Sequence, residues 1–176
     1  MESEKPEYWL RGPIGGLINT LQPVSHALMQ AQDEVFERME SFDSTLLFEK
    51  RFGLASPAFH LMHMRGVIDR LFTYARGEKL SDLQLSELEK EGVEPRTGII
   101  NTSDLLWAYN ERTSEALQEL KLYKESDLAE IRRVGRKLIP STVLGLLFHA
   151  AEHTMRHTGQ LLVTSRLVEL AGQTGR

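Results

Sequence analysis

STVLGLLFHAAEHTMRHTGQLLVTSRLVEL, residues 141–170, reads as one long helix, and the rest of the chain is organised around it. His149, His153 and His157 recur every four residues, and at ~100° per residue such a repeat drifts only slowly around a helix. With His149 as the origin, Leu146, Ala150, Leu161, Thr164, Leu167 and Val168 fall in one arc of roughly 120°, the width of a core-facing stripe. The spacing therefore predicts that the three histidines point inward. Glu152 and Arg156 flank the arc as a four-residue acid-to-base pair of the kind that supports a helix surface. An unsatisfied buried polar group costs on the order of 1–3 kcal/mol, so buried imidazoles need partners. Three in a row suggest a shared one, a metal ion.

Working outward, residues 13–39 keep helical spacing through Leu17, Leu21, Val24, Leu28, Val35 and Met39. Pro23 lies inside this segment and either kinks it or opens the true helix after an irregular GPIGG stretch. Residues 41–55 are connection, with Phe42, Leu46, Leu47 and Phe52 expected under the bundle end. Ser56-Pro57 is a strong helix start and Gly77 a strong stop. Between them Leu61, Met64, Ile68, Leu71 and Ala75 form a core stripe, with His60 and His63 close beside it. A short helix capped by Ser81 runs to about Glu91, and 92–102 is loop. A third long helix over 103–121 turns Leu106, Tyr109, Thr113, Ala116 and Leu120 inward. Residues 123–140 read as mixed, with Ser126 able to cap a short helix and 132–139 irregular around Gly135. Four long helices, short accessory helices and no strand period predict an all-α four-helix bundle, antiparallel and formed as a single domain over 1–176.

Composition narrows the function. A net charge of −4 with no concentrated basic face argues against nucleic-acid binding. The absence of cysteine removes disulfides, thiolate zinc sites and cysteine nucleophiles together, and fits a reducing compartment. The opening residues carry no signal-like apolar run and nothing reads as a membrane span, so a soluble, cytoplasmic protein with no membrane partner is expected.

Residues four apart on a helix can reach one ion, so His153 with His157, or His149 with His153, makes a two-ligand clip. All three cannot share one ion, because eight residues at ~1.5 Å rise separate His149 from His157 by about 12 Å. The third ligand must come from another helix, and the second long helix offers His60 and His63. Three neutral imidazoles leave a divalent ion an open position, as in catalytic sites, and imidazole suits nickel and zinc.

These residues carry a resemblance. HMRGVIDRLFTYARG (63–77), followed far downstream by GLLFHAAEHTMRHTGQLL (145–162), resembles the DinB-like, or YfiT-like, family of metalloenzymes, and the likeness extends through most of residues 10–170. The resemblance implies a four-helix bundle whose metal triad falls on His63, His153 and His157. It also implies metal-dependent chemistry on a small-molecule substrate, with a low-molecular-weight thiol as co-substrate in some members. Periodicity by itself puts His60 nearer the centre of the apolar face than His63, so the two histidines remain alternatives at this point.

A competing motif is His149-Ala-Ala-Glu152-His153, which fits the inverted zinc-peptidase pattern H-x-x-E-H with Glu152 as general base. That pattern needs a further acidic ligand downstream, and only Glu169 follows, on the same helix. His149 and Glu152 are otherwise candidates to assist catalysis, and Gln160 to orient a ligand. Asp69-Arg70 and Glu152/Arg156 read as salt-bridged scaffold, and the basic run Arg132-Arg133, Arg136-Lys137 as a solvated loop able to hold an anion. No carboxylate stands in HExxH register, which favours metal-activated thiol or water chemistry of the transferase or hydrolase kind. A non-catalytic metal- or ligand-binding bundle is the alternative. Phe36, Leu105 and Trp107 lie beyond the core stripes, so a homodimer is expected.

Overall fold

The computed structural model describes residues 5–174. Its long helices are α1 (Gln22–Met39), α2 (Pro57–Ala75), α4 (Thr102–Leu120) and α5 (Val143–Thr174), with a short α3 (Asp82–Glu89) and a two-stranded sheet, β1 (Ile131–Val134) with β2 (Ile139–Thr142). Among the described residues no helix is long and apolar enough to cross a membrane.

Local chemistry sets the helix ends. Ser56 Oγ accepts the Phe59 N–H at 3.3 Å, and Pro57 takes the first turn, where a missing N–H costs nothing. Gly77, at φ +80, closes the other end. Ser81 and Gln84 form a reciprocal capping box at α3, their backbone N–H groups each bonding the other's side chain at 2.9 and 3.2 Å. The helix expected from Pro13 begins only at Gln22, with Pro23 in its first turn. Gln22 holds the irregular chain before it, its Nε2 donating to the carbonyls of Ile14 and Leu17 at 3.0 Å each.

Each of α1 and α2 packs against both α4 and α5, so the helices adjacent in sequence, α1 and α2, sit diagonally. Cross-helix contacts give the directions. Thr20 meets Glu125 while Gln32 meets Asn110, so α1 and α4 run antiparallel. Arg112 donates to Asp69 and Arg76 to Glu119, so α2 and α4 run parallel. His60 meets His157 while His63 meets His153, so α2 and α5 are antiparallel. It follows that α1 and α5 are parallel, as the Arg38–Glu169 ion pair at their C-terminal ends requires. Two of the four packed pairs are thus parallel, where a wholly antiparallel bundle was expected. The diagonal connection through 41–55 makes this order reachable.

The core is built from Leu28 and Val35 of α1, Leu61, Met64, Ile68 and Phe72 of α2, Tyr109 and Leu120 of α4, and Leu147 and Leu161 of α5. The inward face expected for the 103–121 helix is buried at every named position. Thr154, Thr158 and Ser165 lie buried on α5 and donate back to the carbonyl four residues earlier at 2.7–2.9 Å, which satisfies their hydroxyls. Phe42 and Leu47 are tucked under the bundle as expected, but Phe52 is not: it is 76% exposed, in a left-handed turn at φ +56.

The stretch read as irregular around Gly135 is an antiparallel hairpin, with Ile131 opposite Thr142 and Val134 opposite Ile139. Pro140 and Ser141 therefore belong to β2, and α5 starts at Val143. Ser126 caps nothing; the 3-10 turn at Glu125–Asp127 closes through the Lys124 N–H bonding Asp127 Oδ2 at 2.8 Å. Arg132, placed by sequence in a solvated run, donates from Nε to the Ala75 carbonyl at 2.8 Å and so ties the hairpin to the C-terminal end of α2.

Candidate metal centre

The second turn of α2 and the middle of α5 face one another, and their antiparallel order brings four histidines into contact. His63 Nε2 lies 2.9 Å from His153 Nε2. The His157 ring sits 4.5 Å from that of His63 and 4.6 Å from that of His153, centroid to centroid. One nitrogen from each of His63, His153 and His157 falls within 4.8 Å of the others. His60 stands outside this group, with its Nδ1 3.0 Å from His157 Nδ1. His60 is the more deeply buried of the two α2 histidines, at 4% exposure, as periodicity implied.

A second layer fixes His63. Glu91, in the turn after α3, places Oε2 2.6 Å from His63 Nδ1, while its Oε1 accepts from Arg70 Nη1 at 2.7 Å. The Glu91 side chain is only 6% exposed and that of Arg70 11%. Two glycines make room for this pair. A Cβ at Gly66 would collide with Glu91 Oε1 and Arg70 Nη1. Gly92, at φ +73, lets the chain press on Phe59, where a Cβ would lie 2.7 Å from the Phe59 Cβ. Phe59 in turn stacks on the His63 ring, 5.1 Å between centroids with planes 12° apart.

Sequence reasoning did not single out Glu91, and it assigned Arg70 to scaffold together with Asp69. Asp69 is scaffold indeed, accepting from Gln84 and Arg112 at 2.7 and 3.2 Å. Arg70 is salt-bridged scaffold too, but its partner is Glu91, the residue that braces His63. The signal in the sequence was Gly66, a helix-interior glycine that costs ~1 kcal/mol against alanine and so calls for a reason.

Burial favours the neutral form of His60, His153 and His157. It pushes His60 down to about 4, with the charge of His63 adding to the effect. It likewise pushes His157 to about 4, with His63 and His153 adding. His153 is lowered by the same cause. Neutral imidazole is the form that ligates a metal. Glu91 Oε2 faces the Nδ1 of His63, and the Nε2 of that ring points toward His153. Neither nitrogen of His153 is committed to a protein carboxylate or carbonyl, and its buried Nδ1 has no hydrogen-bond partner. Two imidazole nitrogens on one ion at ~2.0–2.1 Å stand about 2.9 Å apart at a right angle and about 3.3 Å apart at the tetrahedral angle. The observed 2.9 Å is the length of an N–H···N hydrogen bond and is also compatible with two ligands at a right angle on one ion.

His149 does not point inward. Its side chain is 52% exposed, and its Nδ1 lies 3.5 Å from Glu152. The buried residues Ala150, Leu161, Val168 and Leu147 centre the core-facing arc at roughly 120° from His149 on a ~100° rotation per residue, so His149 and Gln160 fall outside it, and Gln160 too is exposed. His149, Glu152 and His153 do form a second close group, as i, i+3, i+4 spacing ensures. Glu152, however, pairs with Arg156, which holds its carboxyl below the usual range and makes it a weaker base. Glu169, the acidic residue the peptidase pattern would require, is committed to Arg38.

A helical bundle with a histidine cluster between its second and last long helices defines the class. Among curated proteins none matches the chain. The profile of the DinB superfamily matches residues 27–161, and the chain belongs to that superfamily. The fold is similar to the crystal structure of a conserved protein from Enterococcus faecalis, with a TM-score of 0.60 at 17% identity over 86% of this chain and 98% of that one.

Proposed function

We propose that the protein is a metal-dependent enzyme in which His63, His153 and His157 hold one divalent ion, nickel or zinc by ligand type. The observation that carries this is the convergence of three imidazoles from two helices, with His63 braced from behind by a buried carboxylate. Carboxylate–histidine pairs of this kind set the tautomer and orientation of a metal ligand. In this reading Glu91 and Arg70 hold His63 with its Nε2 turned toward His153, and His60 contacts Nδ1 of His157, leaving that ring's Nε2 for the ion. When bound, an ion with open positions acidifies a coordinated water or thiol and polarises an electrophile. Three protein ligands leave such positions, which favours transferase or hydrolase chemistry on a small molecule with a thiolate or water as nucleophile. His149 and Glu152, at the exposed edge of the cluster, are placed to assist proton movement.

Metal analysis after chelation and reloading tests the site. About one ion per chain is expected, and uptake no greater than in a His153→Ala/His157→Ala variant would refute it. A panel of low-molecular-weight thiols with electrophilic acceptors, run with and without metal, then tests the chemistry; turnover indifferent to both would leave a non-catalytic binding bundle.

A further inference from the structure

A cleft of about 560 Å³ opens between the loop at 53–55 and the face of α5 that carries Arg156, Gly159, Gln160 and Val163. Its volume is within the roughly 300–1,000 Å³ typical of small-molecule sites. His60 forms part of its wall, and the same ring contacts His157 at 3.0 Å, so anything in the cleft lies one imidazole away from the histidine triad.

Gly159 lines the cleft from the α5 side. Interior glycine weakens a helix relative to alanine. At Gly66 a close neighbour explains the glycine, whereas a Cβ at Gly159 would meet nothing within 4 Å. The space over Gly159 is therefore open. The adjoining apolar side chains are left without cover, Leu54 at 41% and Val163 at 56% exposure. Next to the loop, Phe52 holds an exposed aromatic ring in a left-handed turn that L side chains disfavour.

The polar side of the cleft has one sign. Arg156 is the one formally charged residue among those lining it, and no carboxylate does. Its partner Glu152 is an exposed i, i+4 neighbour, and such pairs are weak enough to be given up to a ligand. The Gln160 amide lies beside it as a further donor.

We propose that this cleft binds a small amphipathic organic anion, its carboxylate or sulfonate against Arg156 and Gln160 and its apolar part along Leu54 and Val163 in the space over Gly159. The inference rests on the functional reading above only in that the cleft would present this molecule to the histidine site. Its test is separable from that reading.

The probes are 8-anilinonaphthalene-1-sulfonate and its uncharged analogue N-phenyl-1-naphthylamine, followed by fluorescence on metal-free and metal-loaded protein, with metal content measured in parallel. One sulfonate probe per chain is expected, bound several-fold tighter than the neutral one. Gly159→Leu enters the cleft from a helix position where an added Cβ meets nothing within 4 Å, so it should retain helicity, melting temperature and metal content while weakening both probes by roughly tenfold or more. Arg156→Gln should erase the preference for the anion. Unchanged probe binding in Gly159→Leu, or an unchanged anion preference in Arg156→Gln, overturns the proposal. If the probe pattern appears in protein that takes up no ion, the cleft stands and the metal reading falls; if one ion binds and the probe pattern is missing, the metal reading stands and the cleft falls.

Discussion

Glu91 offers the sharpest test of the metal centre, because its carboxylate has two partners and almost no solvent. One oxygen faces His63 Nδ1 at 2.6 Å and the other Arg70 Nη1 at 2.7 Å, with the side chain 6% exposed. Glu91→Ala leaves Arg70 buried without its counter-charge, a kind of loss that costs about 3–5 kcal/mol. Against a typical folding stability of about 5–15 kcal/mol that is a severe effect. Glu91→Gln is the better probe. It keeps the volume and one acceptor oxygen, but that oxygen can serve His63 or Arg70 and not both. Second-layer losses of this type lower metal affinity about 10–100-fold, or ~1.4–2.7 kcal/mol.

The assay is competition for nickel or zinc against a chromophoric chelator, with thermal melts of the metal-free and metal-loaded forms alongside. Arg70→Met supplies the contrast, since Arg70 touches Glu91 and not a histidine: it should cost stability with a smaller loss of affinity. The expected pattern for Glu91→Gln is a shrunken gap between the metal-loaded and metal-free melting temperatures. If Glu91→Gln lowers both melting temperatures equally and leaves metal affinity within about twofold of the parent, Glu91 is a structural anchor only, and the argument from the carboxylate–histidine pair fails.

Four further outcomes are expected. His63→Ala should abolish most metal affinity and His60→Ala reduce it far less; the reverse order would transfer the ligand role to His60. With His60 and His157 held at about 4 in the fold against 6.5 in the free side chain, the unfolded chain binds more protons between those values. Stability of the metal-free protein should therefore be intact above about pH 6.5 and fall as pH drops toward 4, with a shallower fall in His60→Gln; a melting temperature flat across that window would contradict the burial of these rings. Gly66→Ala should destabilise by roughly 1–3 kcal/mol in chemical denaturation, since the collision with the Glu91–Arg70 pair outweighs the gain in helix propensity. Phe36 and Trp107 are 55% and 66% exposed, so light scattering should give about twice the 20.1 kDa chain mass, and Trp107→Glu should return it to the monomer value.

Helix identity and the inward faces were legible because each rests on local chemistry. Ser56-Pro57 and Gly77 bound α2 within two residues, and the five inward positions expected on α4 are all buried. What escaped depends on partners remote in sequence. The strands 131–134 and 139–142 are four residues each with much of their surface in solvent, so no alternation stands out, and Arg132 looks like loop charge until the Ala75 carbonyl is placed beside it. Glu91 is one acid among many in the segment after Ser81, and only the turn at Gly92 against Phe59 carries it to His63. The inward placement of His149 failed for a different reason: the arc was centred on the histidines, while the fold centres it on the aliphatic residues beside them.

The two signals that disagreed over α2, periodicity favouring His60 and family likeness favouring His63, answer different questions. Antiparallel packing of α2 and α5 pairs residues in opposite order, so the three-residue step from His60 to His63 matches the four-residue step from His157 back to His153. Both α2 histidines therefore meet a histidine of α5. Periodicity ranks them by burial, and His60 is indeed the deeper. For the proposed ion, which would need exchangeable positions, burial is the wrong criterion, because the deepest side chain is the one with least space for a further ligand. In the proposed site the shallower His63, braced through Nδ1 by Glu91 and with Nε2 turned toward His153, would be the ligand, and the deeper His60 a support for His157.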